Sequence, residues 1–383
     1  MSVTAPQGFR AAGVAAGLKS TGAPDVALVV NDGPDDAAAA VFTTNRFPAA
    51  PVLWSRQVLG GHRLKAVVLN SGGANACTGP EGFGDTHATA EHVADQLGIG
   101  AIDVAVASTG LIGVRLPMDL LLAGATAAAQ ALSADGGPDA ARAIMTTDSV
   151  PKTTVQAGSG WTVGGMAKGA GMLAPSLATM LVVLTTDAVV PAEVLEPALR
   201  AATGASFERV DSDGCLSTND TVIVMANGAS GVTPTAEEFT AVLTAAATDL
   251  AMQLLADAEG STKDIAITVR GAASVADALT AGRACARNNL LKTALFGNDP
   301  NWGRVLAAIG TTDAAFEADQ VDVAINGVTV CRGGAIGDPR DGVDLTGRAI
   351  SIDVDLRAGT EQATIWTNDL SLAYVHENSA YST

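Results

Sequence analysis

Short apolar runs bounded by Gly, Asp or Asn punctuate the whole chain. They are DVALVV (25–30), KAVVLN (65–70), DVAVAST (103–109), TMLVVLTT (179–186), DTVIVMA (220–226), DIAITVRG (264–271), VDVAING (321–327) and ISIDVDL (350–356). Their length and β-branched content predict strands. Between them lie Ala- and Leu-rich stretches of helical period. From Glu238 to Ala258, the residues Phe239, Val242, Leu243, Ala246, Leu250 and Leu254 recur at three and four positions. That spacing predicts a helix, with Thr233 as cap and Pro234 in the first turn. A second helix is predicted from Ser274, with Asp277 at capping-box spacing, to about Arg287. GASGVTPTAEE (228–238) and GGPDAARA (136–143) read as turns leading into helices. The glycine-rich stretch 158–171 is the clearest shift in composition, and from Lys168 a glycine-studded polar loop leads to the strand at 179. Strands and helices mix without strict alternation, so the fold class is α/β but not a simple parallel sheet.

Composition narrows the class. At 383 residues and 38.2 kDa the chain exceeds one small core, which predicts two domains. It is 48% apolar with a formal charge of −18, from 22 basic against 40 acidic residues. That balance argues against nucleic acid and anionic membranes as partners, because phosphate binding rests on clustered Lys and Arg. No basic region followed by an apolar one opens the chain, and no run of about 18 apolar residues suggests a membrane span. Cys77, Cys215, Cys285 and Cys331 are far apart, which predicts reduced, mostly buried thiols and a cytoplasmic location.

Most candidate motifs are weak. Gly169, Gly171 and Ala174 fit a dinucleotide pattern, yet Pro175 and a β-branched run follow where a helix is required. His87 and His92 are five apart and do not stack on one helix face, so no metal and no cofactor is expected. No strained serine elbow is present for a triad. Thr179 is different, standing at the mouth of an apolar strand behind small Ala178. A threonine needs a base, and its own α-amine would serve if the chain were cut before it. That amine has a reference pKa of about 7.7–8.0. As a pattern, a threonine opening a buried strand needs no such chemistry.

The stretch KGAGMLAPSLATMLVVLTTDA (168–188) resembles the self-cleaving segment of the ornithine acetyltransferase (glutamate N-acetyltransferase) family of arginine biosynthesis. Collinear matches are VFTTNRFPAAPV (41–52), NSGGANACTG (70–79), ASTGLIG (107–113), IMTTDSVPK (144–152), DSDGCLSTNDT (211–221), AEGSTKDI (258–265), LKTALFGNDPNWGR (291–304) and HENSAYST (376–383). The resemblance implies layered sheets and helices of the kind shared with autoprocessed aminopeptidases, related to N-terminal-nucleophile hydrolases. It implies cleavage between Ala178 and Thr179 into an α chain 1–178 and a β chain 179–383, the latter ending in a smaller domain. Thr179 would carry acetyl from N-acetylornithine to glutamate, in a family that often assembles as α2β2. Acetyl-CoA as a second donor is left open.

Carried over by position, Thr109 and Gly110 match the oxyanion hole. Lys168, Glu259, Asn378 and Thr383 match substrate contacts, as does one threonine of MTTD, Thr146 first and Thr147 beside it. Lys168 is expected in a glycine-rich loop and Thr383 in a tail that folds back. Three departures stand out: Gly73 replaces an asparagine, DSDGCLSTNDT differs in its middle, and NNLLKTA lacks a usual serine. They are expected to lie off the Thr179 machinery. The competing reading is a hydrolase of the aminopeptidase or amidase type using the same threonine.

Overall fold

The computed structural model describes residues 2–174 and 180–380. Ala178, Thr179 and Thr383 lie outside them. Among the described residues the first part of the chain supplies β1 (Phe9–Val14), β2 (Val26–Asn31), β3 (Ala37–Phe42), β4 (Ala66–Ser71) and β5 (Val104–Thr109). Then come β6 (Lys152–Ala157), β7 (Thr162–Lys168), β8 (Leu181–Thr186) and β9 (Thr221–Ala226). These form a four-stranded sheet in the order β1-β2-β4-β5 and a five-stranded sheet in the order β3-β9-β8-β7-β6.

The two sheets pack face to face. Met166, Leu181, Val183, Ile223 and Met225 share a core with β2, β4 and β5. The alternate residues Val163, Val182, Leu184, Val222 and Val224 face the other way. The period of two along a strand thus fills two cores from one sheet.

Helices cover the outside. α1 (Ala50–Val58), α2 (Gly79–Leu97), α3 (Met118–Gln130) and α4 (Gly137–Ala143) accompany the four-stranded sheet, while α5 (Ala192–Ala205) and α6 (Ala236–Ala256) cover the five-stranded one. α6 starts later than its sequence suggested, because Thr235 rather than Thr233 caps it. The Thr235 hydroxyl accepts from Glu238 N at 3.2 Å, and Glu238 Oε2 accepts from Thr235 N at 3.1 Å. Pro234 therefore precedes the helix. By length and composition α6 could cross a membrane, contrary to expectation. Yet Phe239, Leu243, Leu250 and Leu254 are buried in the core, as in the central helix of a globular layer.

The remaining residues build a separate six-stranded sheet. Its strands are β10 (Asp264–Ala272), β11 (Asp322–Ile325), β12 (Val328–Arg332), β13 (Ala335–Ile336), β14 (Ala349–Asp355) and β15 (Glu361–Asn368), in the order β13-β12-β11-β14-β10-β15. α7 (Val275–Ala286), α8 (Asn289–Phe296) and α9 (Trp302–Ile309) share its core, and α10 (Leu372–Ala380) brings Asn378 beside Thr109 and Lys168 of the first two sheets. α7 begins as read: Ser274 Oγ accepts from Asp277 N at 3.1 Å.

Two further readings change. Cys285 and Cys331 are buried but Cys77 and Cys215 are exposed, so burial holds for half the thiols. Half of the stretch 158–171 is strand β7, which takes in Lys168, expected on a loop. A Cβ at Gly164 would lie 2.3 Å from the Ser2 carbonyl oxygen, so glycine there lets the N-terminal segment lie directly on the strand.

β8 is the central element for function. It pairs antiparallel with β7, with Leu181 opposite Lys168, and parallel with β9, with Leu181 opposite Thr221. The chain entering and the chain leaving segment 175–179 are therefore neighbours in the middle of one sheet.

Candidate active site

At the end of β5 the backbone turns sharply through Gly110, whose φ is +127°. A side chain there would strike the Gly73 amide nitrogen at 2.6 Å, so only glycine fits. The Thr109 carbonyl accepts from the Gly72 and Gly73 amides, both at 3.0 Å, which stitches the two loops together. Across the sheets, Lys168 ends β7 and is fully buried instead of lying on a loop. Its ammonium donates to Thr109 Oγ1 at 3.2 Å. The Thr109 hydroxyl therefore spends a lone pair on Lys168, and its own proton is free to point elsewhere.

Lys168 sits beside a dense buried charge network. Asp148 Oδ1 accepts from Lys152 Nζ and from the Gly169 amide, both at 2.6 Å, and Oδ2 accepts from Thr146 N at 2.9 Å. Lys152 also meets Asp257 at 2.6 Å. Burial lowers the Lys168 pKa below its ordinary value, with Asp148 opposing the shift and Lys152 adding to it. Asp148 stays below the ordinary carboxylate range, because Lys168 and Lys152 outweigh the burial that would raise it. One carboxylate thus fixes the turn carrying Thr146 and Thr147 and the exit from β7.

Glu259 approaches from the end of α6. Its amide donates to the Ala170 carbonyl at 2.9 Å, and a Cβ at Gly171 would fall 2.6 Å from its Oε2. Glycine at 171 therefore lets the carboxylate reach the main chain. α10 is tied down by Ser371 Oγ, which donates to the Gly260 carbonyl at 2.5 Å, and this brings Asn378 to the same place.

Thr109, Gly110, Thr146, Thr147, Lys168, Glu259 and Asn378 together line one cavity of about 120 Å³. Ala178, Thr179 and Thr383 are outside the described residues. A larger open groove of about 480 Å³, lined by Ala39–Phe42, Arg56, His62 and Arg200, holds none of the catalytic or substrate-binding residues expected from the sequence.

The loop 211–221 is what sequence reasoning missed. Ser217, Thr218 and Asn219 line the cavity too. Asn219 Nδ2 donates to the Ala74 and Ser108 carbonyls at 2.7 and 2.8 Å, anchoring the cavity wall. The expectation that the departures lie off the site is corrected at two places. Gly73 contacts the Thr109 carbonyl, and a side chain there would displace Leu116, whose Cδ2 would lie 2.6 Å away. The stretch DSDGCLSTNDT also grips the chain beside segment 175–179. Leu173 N donates to Asp213 Oδ2 at 3.0 Å, and Ser212 N donates to the Leu173 carbonyl at 2.6 Å. The available signal was the density of Ser, Thr, Asn and Asp in one short loop, unusual for a plain turn.

The chemistry of this arrangement is that of a small polar cavity with a buried cation, a carboxylate and several hydroxyls. It suits a zwitterionic ligand whose carboxylate and amine are read separately.

The model of the ArgJ family matches residues 10–383. The arginine biosynthesis bifunctional protein ArgJ of Streptomyces avermitilis is 66% identical, with all of both chains covered. A crystal structure of ornithine acetyltransferase complexed with ornithine, from Mycobacterium tuberculosis, is 62% identical over 47% of this chain and 96% of its own, with a TM-score of 0.45. A β-aminopeptidase of Burkholderia sp. is 14% identical over 67% of this chain and 87% of its own, with a TM-score of 0.43. Matched to the family along almost its entire length and to a full-length relative at 66% identity, the chain belongs to the ArgJ family.

Proposed function

We propose that the chain is made as a precursor that cuts itself between Ala178 and Thr179, and that the freed Thr179 carries acetyl between amino acids. The chain is an acetyltransferase of arginine biosynthesis, an ornithine acetyltransferase that moves acetyl from N-acetylornithine to glutamate. Its relatives bear the name bifunctional, which extends the reading to amino-acid N-acetylation with acetyl-CoA as donor.

The observation that carries the mechanism is the single cavity uniting Thr109, Gly110, Lys168 and Glu259, bordered by Gly171 and Met172 just ahead of segment 175–179. In the first half-reaction Thr179 Oγ attacks the acetyl carbonyl of N-acetylornithine. The α-amine takes the hydroxyl proton and passes it to the departing nitrogen as the C–N bond breaks. Ornithine leaves and an acetyl ester remains on Thr179. In the second half-reaction the neutral amine of glutamate attacks that ester, and the hydroxyl of Thr179 is restored. Thr109 and Gly110 would stabilise the negative oxygen in both steps. Lys168 would hold the amino-acid carboxylate, Glu259 the cationic end of ornithine, and Thr146 or Thr147, Asn378 and Thr383 the rest of the substrate.

Further parts of the same reading are the products of the cut. The α chain 1–178 and β chain 179–383 would stay joined through the β7–β8 ladder and assemble as α2β2 in the cytoplasm. The Thr179→Ala variant is expected to remain one 38.2 kDa chain without transferase activity. Normal turnover by that variant would overturn the assignment. Acetyl release that ignores added glutamate would instead favour a hydrolase.

A further inference from the structure

Asp220 is fully buried at the start of β9, and nothing in the mechanism above uses it. Its Oδ1 accepts from the Met180 amide at 3.0 Å. The next residue completes the grip, since Thr221 N donates to the Met180 carbonyl at 3.1 Å. Met180 is thus held at both its amide and its carbonyl. Asp220 Oδ2, also buried, has no hydrogen-bond partner at bonding distance among the described residues. Burial dominates and keeps its pKa well above the ordinary carboxylate range, with the Met180 amide, the Ser217 side chain and the Lys168 charge opposing it. A buried carboxyl without a paired cation holds its proton, because the ionised form loses its water and gains no charge partner in return.

The amide nitrogen that Asp220 holds is bonded directly to the carbonyl carbon of residue 179. The carboxyl therefore lies one residue along the chain from the nitrogen that must leave when the bond ahead of residue 179 breaks. An amide nitrogen is a poor leaving group unless it is protonated as the C–N bond opens.

We propose that Asp220 supplies that proton, acting as the acid of self-cleavage. This rests on the reading that the chain cuts itself at Ala178–Thr179. Thr179 Oγ bonds to the Ala178 carbonyl carbon, the C–N bond breaks, and Asp220 Oδ2–H passes its proton to the departing nitrogen. The proton lost by the threonine hydroxyl returns to the carboxylate, so Asp220 ends neutral. Water then opens the resulting ester, giving the Ala178 carboxylate and a Thr179 with free hydroxyl and amine. Asp213 performs a different service in the same loop. Its Oδ2 accepts from Leu173 N, on the other flank of the segment, while its Oδ1 accepts from Cys215 N in its own loop.

The test follows cleavage over time in full-length chain made by cell-free synthesis and read as intact mass. Asp220→Asn matches the neutral acid in shape and keeps an oxygen for Met180, but cannot give up a proton in the same way. The expected result is a folded precursor, melting within a few degrees of the unaltered chain, that cuts about 100-fold more slowly. A folded Asp220→Asn chain that cuts at the unaltered rate overturns the proposal. If that variant does not fold, the unaltered chain made in heavy water decides. Cleavage slowed about twofold or more supports proton transfer, and an unchanged rate overturns it. If the unaltered chain never divides, the self-cleavage reading itself fails, and that result is distinct from both others.

Discussion

The chain buries lysine in two neighbouring places, and the two are built differently. Behind the cavity, Lys152 is fully closed off and meets Asp148 and Asp257, each at 2.6 Å. In the cavity wall, Lys168 is equally buried, yet the hydrogen bond it makes is to a neutral hydroxyl, at 3.2 Å. The first region spends its charges on one another and makes a rigid wall. The second sets a cation against a hydroxyl in the wall of a space. A buried cation matched by carboxylates at close range is architecture, and one that meets a neutral hydroxyl at a cavity is placed for chemistry.

The comparison breaks most visibly at Lys152. Lys152→Met strands Asp148 and Asp257 without their cation, and is expected to cost about 4 kcal/mol of stability, measured by denaturant unfolding. A loss below about 1 kcal/mol would mean that this network is not structural.

Lys292 sharpens the contrast from a third position. Its ammonium donates to the Ser212 carbonyl at 2.6 Å and Thr367 Oγ1 at 2.9 Å, and burial lowers its pKa to about 8. Between about pH 8 and 10.5 the folded amine is neutral while the unfolded one is still charged, so the unfolded state binds more protons. Stability should rise with pH across that window, by up to about 3 kcal/mol. Lys292→Met should lack this rise. The difference between the two proteins also removes the opposing contribution of Tyr374, whose pKa is raised to about 12. Parallel stability profiles for both would contradict the reading.

On the cavity side the losses are in rate. Lys168→Met and Thr109→Val should each keep their fold and lose about 100-fold in kcat/KM. The double variant should lose less than the product, because the two side chains share a hydrogen bond. Fully multiplicative losses would mean they act separately. The smallest effect belongs to Asn378, exposed on α10. Asn378→Ala should raise KM about tenfold with kcat nearly unchanged.

The sequence made some of this legible and hid the rest for physical reasons. The eight β-branched runs all became strands, because side-chain shape and apolar period agree there. β3 escaped notice because AAAAVF carries little β preference of its own and is held by pairing with β9. β7 gave no strand signal because Gly164, which makes room for another backbone, interrupts its apolar pattern. Lys168, Thr109 and Glu259 were found by resemblance, yet their convergence depends on two sheets, the end of α6 and a returning helix that no local pattern encodes. The grip of loop 211–221 on Leu173 and Met180 was invisible for the same reason. It consists of hydrogen bonds between residues about 40 positions apart.

The central claim is that the cavity serves a threonine at the head of a new chain. The most direct measurement is the mass of the denatured protein after brief exposure to N-acetylornithine, followed by glutamate. The account predicts two fragments, 1–178 and 179–383, with one acetyl group on Thr179 of the second that disappears when glutamate is added. An active protein that remains a single 38.2 kDa chain, or that never carries the acetyl group, would contradict it.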